Sequence, residues 1–223
     1  MLRFLKIFIN PHAEHNKKSG SAYQQQLRFL KKAWHDNTYG LERVLRLFLC
    51  LIQFIFPILL IKEIFGRFGG TVRKLAVEFY LLFKFLFPLC VLVFGLYRSP
   101  VVIFIVVCFL SETILHILNL IFLADIEELS LSYHRAILLL LLNYTQVALD
   151  FAVIYIAFNL LSETLNPVSA VYFSIVASTT VGFGDIHAKG SAGQLVVIAQ
   201  LLICLAFIIV FINYFSQKIN GKQ

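Results

Sequence analysis

The chain has 223 residues, of which 60% are hydrophobic and only 14% charged, with a formal net charge of +7. A soluble domain carries about 25% charged residues, so this composition excludes an ordinary soluble enzyme and places the chain among membrane proteins. Residues 1–46 hold nine Lys or Arg against three Asp or Glu. In a chain this apolar, a basic front end is read as attraction to anionic lipid rather than to nucleic acid.

Residues 1–40 are a basic cytoplasmic or interfacial tail. Within it Tyr23, Leu27, Leu30 and Trp34 recur at helical spacing, which predicts a short helix lying in the headgroup layer with Trp34 at the boundary. A solvated tail is the alternative. Residues 41–128 form the amino-terminal membrane helices. Their first apolar run, 44–65, is interrupted by Arg46, Gln53 and Pro57, the second covers 75–97, and the third covers 101–124 after a turn at Arg98-Ser99-Pro100. A charged linker follows at 125–135. Residues 129–223 hold the last two long runs, 136–161 and about 193–216. Each run reaches the roughly 20 residues needed to cross a bilayer. The four cysteines, Cys50, Cys90, Cys108 and Cys204, all lie in apolar runs and are read as free buried thiols.

Between the last two runs lies Asn166-Pro167, a helix start in which Asn caps and Pro occupies the first turn. About three turns lead from there to Thr179-Thr180-Val181-Gly182-Phe183-Gly184-Asp185. Glycine at alternate places tolerates positive φ, the condition for successive carbonyls to face one side. The seven residues resemble the potassium channel signature, which usually has Tyr where Phe183 stands. The resemblance covers about 133–216, the two-helix pore module. It implies an all-α membrane protein in which outer helix, pore helix, filter and inner helix are preceded by two or three membrane helices.

The resemblance further implies a homotetramer that passes K+ through backbone carbonyls, with Thr180, Val181, Gly182, Phe183 and Gly184 as the filter. K+ is held at Thr180 to Phe183 as the permeant ion, and no organic cofactor is expected. Val181 and Phe183 pack the filter wall. Asp185, His187 and Glu163 ring the outer mouth, and acid outside reduces current through His187. Leu205, Ile208 and Ile212 line the cavity, with Ile212 or Phe215 as the closing ring. Phe183 lacks the hydroxyl of the usual Tyr, so packing by Tyr172 and Phe173 is expected to hold the filter. Cys204 stands where many members have a hinge glycine.

The resemblance implies that both flanking helices end in the cytoplasm, so a cytoplasmic carboxyl terminus is expected in a multi-pass cell-membrane protein. A cytoplasmic amino terminus then requires 44–65 not to cross fully, and to bend at Pro57 as an interfacial or re-entrant segment. The alternative is five spans with an outside amino terminus. Lone charges at mid-membrane are expensive. Counting from the turns places Lys84, Glu112 and Asp150 at similar depth, so Lys84 is expected to pair with Glu112 or Asp150. His116, one turn from Glu112, completes this group, which either docks helices or senses pH. No helix carries Arg or Lys at every third position, so voltage sensing is not expected. A non-conducting or weakly selective channel-like subunit or scaffold is the second reading of the chain.

Overall fold

The computed structural model describes residues 21–35, 40–123, 133–162 and 166–220, with backbone alone at 71, 133, 134 and 214–220. The tail before residue 21, most of the 125–135 linker and Glu163 lie outside the described residues, as does the Phe215 side chain. Eight α-helices are described: α1 (Ala22–His35), α2 (Leu41–Ile52), α3 (Pro57–Gly66), α4 (Gly70–Val93), α5 (Pro100–Phe122), α6 (Tyr133–Ala157), α7 (Pro167–Ser178) and α8 (Gly190–Asn220). Four contain stretches long and apolar enough to cross a membrane: Val72–Val93, Pro100–Phe122, Arg135–Ala157 and Gly190–Asn213. The chain forms two compact units that divide between Tyr80 and Leu81.

In the first unit, the segment Leu41–Ile55 and helix α3 meet at 65°. The cause is local. Phe56 is extended, with φ −87° and ψ 145°, and Pro57 opens the next helix because it has no N–H to continue the previous one. Helix α1 is held from both ends of this bend. Gln26 Nε2 donates to the Cys50 carbonyl at 3.1 Å. Glu63 Oε2 accepts from Ser21 Oγ at 2.9 Å and from the backbone of Ala22 at 2.7 Å and Tyr23 at 3.5 Å, taking up N–H groups that a helix start leaves unpaired. These bonds, the Ser21 hydroxyl foremost, hold the Glu63 carboxyl below its ordinary pKa. Ala22, Gln26 and Ala33 face inward, whereas Leu27 and Trp34 are exposed and Arg43 sits 5.1 Å over the Trp34 ring.

The second unit is organised around α6. On one side Ala152, Val153 and Ile156 pack with Val91 and Leu92 of α4, Val106 of α5 and Ala170 of α7. On the other, Val147, Phe151 and Tyr155 pack with Phe173 of α7 and with Phe207 and Val210 of α8. Helix α6 ends because Asn159 adopts φ 50°. Asn159 N–H bonds to the Ile156 carbonyl and Leu160 N–H to that of Tyr155, the paired closure that reverses a chain after a helix. Cys50 and Cys204 are buried, Cys108 is half-buried and Cys90 is exposed, which corrects the expectation of four buried thiols. The last helix starts at Gly190 and runs to Asn220, longer at both ends than its apolar run.

Candidate functional site

Helix α7 is 12 residues long, too short to cross a bilayer at 1.5 Å per residue. Asn166 Oδ1 accepts from Ser169 N–H at 2.7 Å, and Pro167 fills the first turn. At the other end Thr180 N–H bonds to the Ala177 carbonyl at 3.0 Å and Val181 N–H to that of Val176 at 3.1 Å. This is the same closure that ends α6, and it throws Thr180 into φ 59°. Gly182 at φ 58° and Gly184 at φ 82° follow. Positive φ thus recurs at every second residue from 180 to 184. The two glycines were legible from sequence. Thr180 was not, because a β-branched residue rarely adopts this conformation. Such strain collects at functional positions.

Val181 and Phe183 are exposed on the single chain at 55% and 68%. Phe183 stacks on Tyr172, with centroids 6.4 Å apart and planes 5° apart. Packing is not the sole restraint that sequence led us to expect. The Tyr172 hydroxyl, on α7, donates to Asp185 Oδ2 at 2.8 Å and ties the end of the loop to the helix before it.

The chain then pairs with the segment after α6. Ser162 N–H donates to the His187 carbonyl at 2.9 Å and Lys189 N–H to that of Leu160 at 2.7 Å, with Leu161 opposite Ala188. The His187 and Asp185 side chains lie on this exposed rim. Gly193 sits beneath it, where a Cβ would come within 2.6 Å of the Leu160 carbonyl oxygen. Leu205, Ile208 and Ile212 share an exposed face of α8, at 54%, 44% and 60%.

Behind α7 is a polar layer that the sequence reading missed. Gln200, fully buried on α8, directs Nε2 at the Ser174 carbonyl (2.9 Å), Ser174 Oγ (3.0 Å) and Ser178 Oγ (2.7 Å). Its Oε1 accepts from the Tyr155 hydroxyl of α6 at 2.6 Å. Ser174 Oγ donates to the Ala148 carbonyl, and the Tyr144 hydroxyl to that of Ser178 at 2.6 Å. The available signal was a lone Gln in an apolar run together with two serines four residues apart.

A second buried polar group joins α4, α5 and α6. Lys84 Nζ lies 3.3 Å from Glu112 Oε2 and donates to Thr113 Oγ1 at 2.8 Å. Thr113 Oγ1 in turn donates to Gln146 Oε1 at 3.3 Å, and Gln146 Nε2 donates to Asp150 Oδ2 at 2.9 Å. Lys84, Glu112 and Asp150 are thereby brought together. His116, on the same helix as Glu112, is exposed.

With this geometry in view, residues 143–220 match a protein-family model described as an ion channel. The matched segment runs from within α6 through α7, the glycine loop and all of α8. It supports an ion channel family and passive ion conduction, and with four apolar helices it supports a membrane location. No curated protein and no solved structure matches the chain.

Proposed function

We propose that the chain is a homotetrameric, potassium-selective channel in which the 180–184 loop is the filter. The observation that carries this reading is the alternation of positive φ at Thr180, Gly182 and Gly184, directly after a helix too short to span. A strand with that alternation turns successive carbonyls toward one side, where they replace the water shell of a dehydrated cation. K+ is then held by Thr180, Val181, Gly182 and Phe183 as the permeant ion. The carboxyl end of α7, with its partial negative charge, favours a cation beneath them.

One chain supplies one wall of such a pore. The exposed apolar side chains of Val181, Phe183, Leu205, Ile208 and Ile212 support closure by further copies around an axis. In that assembly Asp185, His187 and Glu163 ring the outer mouth, and Leu205, Ile208 and Ile212 line the cavity, with Ile212 or Phe215 as its narrowest ring. The basic front end and the exposed Trp34 suit an anionic cytoplasmic leaflet. Both termini are then cytoplasmic in a cell membrane, and the 65° bend at Pro57 suits a segment that enters without crossing.

Purified protein in liposomes tests the reading. Potassium flux well above sodium flux, blocked by barium, together with a tetrameric mass, is the expected result. Equal fluxes, or a protein that conducts nothing, overturn it.

A further inference from the structure

We propose that Gln200 is the positioning residue for the inner end of the filter, and that through it α8 sets ion selectivity. The inference rests on the channel reading above. Gln200 is wholly buried, yet every polar atom of its amide has a partner, and the amide and its partners join three helices. Tyr155 belongs to the outer helix α6, Ser174 and Ser178 to α7, and Gln200 itself to α8.

The amide has one orientation only. The Ser174 carbonyl can accept but not donate, so the NH2 must face it. Oε1 is then left to receive the Tyr155 hydroxyl. The two N–H bonds are shared among three acceptors, all within 3.0 Å. Ser174 and Ser178 lie four residues apart and so share one face of α7, one turn from each other. Ser178 is the last residue of that helix, two before Thr180, whose left-handed φ begins the alternation. A lateral shift of α8 at Gln200 therefore moves the turn from which the filter starts.

Neighbouring contacts stiffen the same turn. The Tyr144 hydroxyl caps the Ser178 carbonyl, and the Tyr144 ring meets Phe207 edge-on at 5.4 Å. Tyr155 meets Phe173 edge-on at 5.1 Å. The sequence of α8 has no glycine between Gln194 and Ser216 that would let its lower part bend independently of Gln200.

The test compares the potassium-to-sodium permeability ratio of assembled protein in liposomes with its thermal stability in detergent. Gln200→Met keeps the length of the side chain and removes its hydrogen bonds; the ratio is expected to fall by about tenfold. Tyr155→Phe removes one donor and leaves the NH2 bonds, so a smaller fall is expected. Val210→Ala, a packing change on the same helix, is expected to lower stability and leave the ratio unchanged. Assembled Gln200→Met with the wild-type ratio overturns the proposal and leaves the channel reading intact. If Gln200→Met does not assemble, Tyr155→Phe decides: an unchanged ratio overturns the proposal, and a reduced one supports it. Wild-type protein that shows no selectivity removes both.

Discussion

The unit that begins at Leu81 buries two polar groups, one behind α7 and one among α4, α5 and α6, and they follow opposite plans. Around Gln200 the groups are neutral, and the amide is satisfied on both sides. Around Lys84 three ionisable side chains, Lys84, Glu112 and Asp150, are joined through Thr113 and Gln146, and the Asp150 Oδ1 atom has no hydrogen-bond partner. A neutral amide fixes an orientation through its directional bonds and costs little to bury once paired. An ammonium among carboxylates is less exacting about direction, but each charge is very expensive to leave alone. The first arrangement suits the setting of fine geometry next to the glycine loop. The second suits the choice of which helices belong together.

The sharpest way to break this contrast is to remove one charge. Lys84→Met leaves Glu112 and Asp150 buried without their cation and is expected to destabilise the protein by about 3 kcal/mol or more, read as a lost or much lowered melting transition in detergent. Adding Glu112→Gln to Lys84→Met should recover a large part of that loss, because the pair and not the site is what matters. A double variant as unstable as the single one would remove the distinction between the two plans.

Next in size is Gly193→Ala, which drives a methyl group against the Leu160 carbonyl. Its expected cost is about 1–3 kcal/mol, seen as a lower melting temperature and poorer ion flux. Asn166→Ala removes the cap from α7 and should cost about 1 kcal/mol by the same melting measurement. It touches neither buried group and so sets the scale against which both are judged.

The smallest effect belongs to a polar contact outside either layer. Glu63 has its pKa lowered by Ser21 and the start of α1, so its contribution is complete above the ordinary carboxylate pKa and disappears as pH falls through the lowered one. Emission from Trp34, the single tryptophan and a residue of α1, should report the release in acid. Glu63→Gln should flatten that acid transition.

Much of this architecture was legible in the residues. Asn166-Pro167 marked the start of α7, and Pro57 marked the bend, because both act through local backbone chemistry that needs no tertiary context. Counting from the turns put Lys84, Glu112 and Asp150 at one depth, since helix rise is fixed. What could not be counted was rotation about the helix axis. His116 follows Glu112 by one turn and is nevertheless exposed. Thr180 escaped because its conformation is imposed by the closure of α7 against its own preference. Gln200, and the bond from the Tyr172 hydroxyl to Asp185, escaped because a polar residue in an apolar run declares that it has partners but not which ones.

Gly193 also governs where a spectroscopic reporter can be attached. No side chain of any size fits there without prying the 160–162 and 187–189 segments apart, so a cysteine introduced at that point would distort the rim it was meant to observe. Ala192 and Gln194, its exposed neighbours on either side, offer attachment points a residue away. A spin label at Ala192 would follow the rim while leaving the carbonyl of Leu160 undisturbed.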